Sequence, residues 1–85
     1  MSVEVVGEDI DVVAVFKNGL FEPRKFRWRG REHRVSDVNA RWAEHDGSYR
    51  VYRFAVATAA HSFYEISLHT KHMRWSLDRF MPGEP

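Results

Sequence analysis

The stretch Arg24 to Val35, RKFRWRGREHRV, constrains the fold more than any other part of the chain. Phe26 and Trp28 alternate with Lys25, Arg27 and Arg29; beyond Gly30, His33 and Val35 alternate with Glu32 and Arg34. A period of two puts successive side chains on opposite faces of a strand. The stretch therefore predicts two antiparallel strands joined at Gly30-Arg31, apolar on one face and mostly cationic on the other. Glycine in the first loop position suits a type II′ turn. That loop sets Arg29 opposite Glu32, Trp28 opposite His33 and Phe26 opposite Val35.

The same reasoning extends along the chain. Val3 to Val6 reads as a short strand, turned by Gly7-Glu8-Asp9. Ile10 to Lys17 contains VVAVF, a β-branched and aromatic run that predicts a strand buried on both faces. Asn18-Gly19 is a type I′ hairpin signal that sets Phe16 opposite Phe21. Pro23 has no ladder donor, so its strand should lie at an edge or be bulged there. After Val35 the alternation resumes out of step at Val38, Ala40 and Trp42. A β-bulge at Ser36-Asp37 repairs it; the competing reading is a helical turn capped by Ser36. The bulged strand is favoured by the loop His45-Asp46-Gly47, whose third-position glycine sets Trp42, Ala40 and Val38 opposite Arg50, Tyr52 and Phe54. A loop at Ala59-Ala60-His61 sets Val56, Phe54 and Tyr52 against Tyr64, Ile66 and Leu68. A loop at His69-Thr70-Lys71-His72 sets Leu68, Ile66 and Tyr64 against Met73, Trp75 and Leu77.

These registers collect Phe26, Trp28, Val35, Val38, Trp42, Tyr52, Phe54, Val56, Tyr64, Ile66, Leu68, Met73, Trp75 and Leu77 on one face. A lone sheet cannot shield such a face. It must curl on itself or pair with a second copy, a homodimer. The expected fold is all-β: an antiparallel meander of five or six strands curled into a small half-open barrel of the SH3 or OB kind, with the VVAVF strand as its lid. Residues 1–80 form one domain and residues 81–85 a frayed tail.

Composition narrows the function classes. The chain has 85 residues, so one domain is expected. It has no Cys, which excludes disulfides and thiolate metal sites. No apolar run approaches the roughly 18 residues of a membrane span, and charge already at Glu4 argues against a signal peptide. A cytoplasmic protein without membrane contact is expected. Thirteen Lys and Arg against twelve Asp and Glu give a net charge of +1, no whole-molecule drive towards nucleic acid. The distribution is uneven, however: Glu4, Glu8, Asp9 and Asp11 make the N-terminus acidic, and Arg24 to Arg34 is basic.

The pattern Phe26-x-Trp28-x-Gly30-Arg31-x-His33-x-Val35, then Trp42, Tyr64-Glu65-Ile66 and Trp75-x-Leu77, resembles a small uncharacterised bacterial domain family rich in actinobacterial members. The resemblance covers roughly residues 22–80 and rests on core aromatics and a turn glycine. The family carries no assigned activity, so the resemblance implies no functional residue. This chain has His33 where the family usually has Tyr.

The face opposite the core is predicted to carry Lys25, Arg27, Arg34, Arg41, Arg53 and Arg74, with Tyr49, Val51 and Phe63 among them. Cations interleaved with aromatics match single-strand binding platforms, in which Arg contacts phosphate and aromatics stack on bases. The expected nucleic-acid site is Lys25, Arg27, Arg34, Arg41, Tyr49, Arg53, Phe63 and Arg74. A solvated sheet face explains the same residues, as does a protein-interaction or structural domain. Histidines at 45, 61, 69 and 72 fall in turns, and Lys71 between two of them repels a cation, so no metal is expected. His33 falls on the apolar face but has no nucleophile beside it: there is no Cys and no Ser in an elbow motif. No carboxylate pair stands in environments that would split its pKa values, and no Gly-rich phosphate loop is present. No enzyme activity and no cofactor are expected.

Overall fold

A computed structural model of the chain describes residues 3–83. Six antiparallel strands follow one another in a closed barrel: β1 (Glu4–Lys17), β2 (Leu20–Trp28), β3 (Arg31–Asp46), β4 (Tyr49–Thr58), β5 (Phe63–His69) and β6 (Arg74–Met81). β1 closes the ring, because Glu4 to Ile10 pairs with β6 and Asp11 to Lys17 pairs with β2. The expected turn at Gly7-Glu8-Asp9 is instead a bulge inside this one long strand. Gly7 takes φ 66°, and the β6 register shifts between Val5 and Glu8. The VVAVF run is not buried on both faces either: Val13 and Phe16 are 50% and 81% exposed. A closed barrel has only one inside, so a strand in its wall must show its other face to water.

The barrel is filled by Ile10, Phe26, Phe54, Val56, Tyr64, Ile66 and Leu77, with Val12, Phe21, Trp28, Tyr52, Trp75 and Phe80 packed around them. Of the face expected from alternation, all but Trp42 and Met73 points inward or packs on this core. Aromatic geometry ties the strands together. Tyr64 stacks on Phe80 at 4.9 Å, and Phe26 meets Tyr64 edge-on at 5.0 Å. Such pairs add about 0.5–1.5 kcal/mol each beyond area burial.

Local turn chemistry explains the connections. Phe16 faces Phe21 across Asn18-Gly19, where both loop residues have positive φ, as a type I′ turn requires. The β4–β5 register is the expected one, with Val56 on Tyr64, Phe54 on Ile66 and Tyr52 on Leu68; His61 supplies the left-handed residue of the loop. Pro23 is fully buried beside a register shift in the β1–β2 ladder, and no β3 residue pairs with it.

Three loops differ from expectation. The β2–β3 loop is Arg29-Gly30, not Gly30-Arg31, so Phe26 faces His33 and Trp28 faces Arg31. Both loop residues have positive φ, 51° and 76°. Arginine resists that conformation, but Arg29 is held there by two hydrogen bonds from its guanidinium to Glu8, at 3.0 and 2.6 Å, and lies over the Trp28 ring at 4.6 Å. The β5–β6 loop is Thr70 to Met73 rather than His69 to His72. Leu68 therefore faces Trp75, and Met73, at φ 51°, stands in the turn 67% exposed. An additional bulge at Asp78 turns Phe80 inward opposite Tyr64.

The third difference changes a face. β3 does bulge at Ser36, whose hydroxyl donates to the Ala57 carbonyl, and the helical alternative is not adopted. A second bulge at Asn39 reverses the alternation beyond it. The β3–β4 turn is then Gly47-Ser48, with Trp42 opposite Arg53, Arg41 opposite Phe54 and Ala43 opposite Tyr52. Trp42 thus points outward and Arg41 inward, the reverse of the expected arrangement. The last segment also departs from a free tail: Met81 pairs with Phe63, and the Gly83 amide donates to Ser62 Oγ. The rest of the expected tail, residues 84–85, lies outside the described residues.

His33 offers a pH handle on this packing. Its ring stacks on Phe26 at 5.1 Å, and burial, with Arg31 nearby, lowers its pKa below the ordinary imidazole value. The unfolded chain then binds the proton more readily than the native one, so stability rises with pH across that interval. Urea midpoints are expected to fall as pH drops below about 6.5, before the carboxylates titrate. His33→Tyr should flatten this part of the profile; an unchanged slope would assign it to another group.

Candidate functional site

The eight residues expected to form a nucleic-acid surface do not form one platform. Lys25, Arg27 and Arg34 lie on the β2–β3 hairpin, Arg53 on β4 and Arg74 on β6. The outer face of a closed barrel runs around the whole circumference, so residues on strands far apart in the ring look in different directions. Tyr49 and Phe63 sit at opposite ends of the β4–β5 ladder. Val51, expected between them on the surface, is buried.

Carboxylates meet most of these cations. Lys25 pairs with Glu32 at 3.1 Å, Arg41 with Glu22 at 2.8 Å and Arg74 with Asp9 at 3.5 Å. Arg53 is held by both Glu44 and Asp78 at 2.9 Å, and its hydrogen bond is the main cause lowering the Glu44 pKa. Arg27 does not oppose Arg34. Its cross-strand neighbours are Glu32 and Asp11, while Arg34 faces Lys25. The like-charge juxtaposition that would invite an anion at Arg27 is absent from that position. Arg27 and Arg34 remain exposed, with no carboxylate within 4.0 Å among the described residues.

A different site stands out at one end of the barrel. A groove of about 760 Å³ opens between β2 and β3, and its walls are almost wholly apolar. Phe21, Tyr52, Phe54 and Trp75 form its floor, packed edge-on or tilted at 5.0 to 6.3 Å. Phe16, Leu20 and Met73 stand at its rim, 81%, 58% and 67% exposed. The only charged side chain in the lining is Arg41, tethered to Glu22 and to the Phe21 carbonyl. Trp42, half-turned out of the wall, donates its indole N–H to Glu44.

The sequence reading missed this groove as a site. Its signal was the hairpin Phe16-Lys17-Asn18-Gly19-Leu20-Phe21, which puts large apolar residues on both sides of a tight turn. A hairpin tip is where a small sheet can bury least, so such residues gain little from folding.

No catalytic constellation accompanies the groove: Arg41 and Thr70 are the only polar side chains among its lining besides the Tyr52 and Trp edges. Among the described residues, no three His, Asp or Glu side chains gather as metal ligands. No helix among the described residues is long and apolar enough to cross a membrane. No curated protein and no solved structure matches the chain. The sequence does match one family over residues 1–81, nearly its whole length. The chain belongs to that family, a domain of unknown function (DUF6504).

Proposed function

We propose that this is a non-catalytic binding domain whose ligand site is the apolar groove between β2 and β3. The observation that carries this reading is the groove itself: its volume lies within the roughly 300–1,000 Å³ of small-ligand sites, and barrel mouths are a recurrent place for them. Exposed apolar rim residues are costly to leave in water unless something covers them.

The test uses 1-anilinonaphthalene-8-sulfonate, an apolar fluorophore with one anionic group. Saturable binding near one per chain is expected, with blue-shifted emission and energy transfer from Trp75 or Trp42. Leu20→Glu/Met73→Glu places two carboxylates on the rim at exposed positions and should weaken binding by about tenfold or more. Absence of saturable binding, or equal binding by the double variant, overturns the reading.

A second reading rests on Arg27 and Arg34, the exposed cations without ion pairs noted above. They support weak single-stranded nucleic-acid binding through the β2–β3 hairpin, falling steeply with salt. Lys25, Arg41, Arg53 and Arg74 support it less, since each already holds a carboxylate. Anisotropy titrations with single- and double-stranded oligonucleotides at two salt concentrations test it. Arg27→Glu/Arg34→Glu should abolish binding; equal binding by this variant rejects the hairpin as the site.

A further inference from the structure

The groove lies beneath a split in the barrel wall. The β2–β3 ladder consists only of Lys25 to Trp28 paired with Arg31 to Arg34. Beyond it, Leu20 to Pro23 of β2 pairs on the β1 side alone, and β3 from Val35 onward pairs with β4 alone. Two strand edges of the same chain thus face each other without a ladder between them. Arg41 crosses the gap, its guanidinium donating to the Phe21 carbonyl at 3.4 Å and to Glu22 at 2.8 Å. A side chain here fills a place that a neighbouring backbone would take in a complete sheet.

From Ala40 to Asp46, β3 runs without a bulge. In an antiparallel strand, alternate residues direct their N–H and C=O groups to opposite sides. About half of those in this stretch therefore point into the split. Unpaired edges recruit strands, and an added strand sends alternate side chains to one face. Here that face is the apolar groove.

We infer that the split admits an extended peptide segment, paired antiparallel with Ala40 to Asp46 of β3, with its alternate apolar side chains seated on Phe21, Tyr52 and Trp75. This rests on the groove being the binding site and specifies what occupies it. A free segment suits the split better than a second copy. At Arg41 the slot is bounded on both sides by the chain's own β2 and β3, and the β3 edge of a folded copy arrives with the rest of its barrel attached. Arg41, the one charged side chain in the lining, already holds Glu22, so the apolar floor rather than charge selects the segment.

A displayed library of random decapeptides, selected on the whole domain, tests the inference. Enriched sequences should carry apolar residues with a period of two. In synthetic versions of the best binder carrying one N-methyl group each, methylation at alternate amides should weaken binding about tenfold, as expected for one lost backbone hydrogen bond at the upper end of its range, while methylation at the others leaves it unchanged. Hydrogen exchange should slow within Ala40 to Asp46 on binding. No enrichment, a flat methylation scan, or a homodimer that protects β3 in the absence of peptide overturns the inference. If the fluorophore still binds and Leu20→Glu/Met73→Glu still weakens it, the groove stands as a site and only the strand-shaped occupant fails. Loss of both results removes the site itself.

Discussion

Phe26→Ala is expected to lower unfolding free energy by about 3–5 kcal/mol, the range for removing a buried aromatic ring. Phe26 is 1% exposed and touches both His33 and Tyr64 in ring-to-ring contact. It also sits where β2 is paired on both sides, with Val12 and with His33. The closed wall leaves little room to collapse into the cavity. A domain of this length has about 4–13 kcal/mol in all, so the variant should be largely unfolded at modest urea. Ile66→Val, at a fully buried site, removes one methylene and should cost only about 0.5–1.5 kcal/mol. Urea titrations followed by tryptophan fluorescence measure both. If the two variants lose similar amounts, Phe26 is not at the centre of the core.

Gly30→Val is the second large effect, about 1–3 kcal/mol, through backbone conformation alone. Gly30 holds φ 76°, and an added Cβ would meet nothing within 4 Å. Sterically there is room; the cost is a β-branched residue forced into the left-handed region. The neighbouring Arg29 already bears that strain at φ 51°, offset by its bonds to Glu8, whose pKa those bonds lower. Gly30→Asn, which tolerates this region better, should lose less than the valine variant. Equal losses for Val and Asn would mean that the turn conformation is not the cause.

The tightest turns were legible because their chemistry is local. Asn18-Gly19 and the Ala59-Ala60-His61 loop each set their registers from a few adjacent residues. Two loops slipped by one residue along the chain, at Arg29-Gly30 and at Thr70 to Met73, yet the inward faces survived. Moving a two- or four-residue loop by one position shifts the partner of each residue by two, and the side-chain period is also two. That is why Phe26, Trp28, Ile66 and Trp75 reached the core despite the wrong partners.

What alternation could not supply was the second bulge at Asn39. It exchanges Trp42 and Arg41 between the two faces of β3, and so puts the one cation, still exposed, at the groove. A bulge sacrifices local ladder pairing for bend and twist, and the need for bend is set by how six strands close on each other, not by the residues beside it. The cationic face dissolved for the same reason. Arg53 and Arg74 find carboxylates far along the chain: Asp78 reaches Arg53 from β6 across the intervening β5, 25 residues on, and closure of β1 onto β6 brings Asp9 to Arg74 across 65. The amino-acid pattern alone determined an antiparallel barrel and most of its inward residues, through contacts a few residues apart. Tertiary structure alone decided which distant carboxylates reach Arg53 and Arg74 and where β2 parts from β3, because both depend on how six strands are arranged around the ring and not on neighbouring residues.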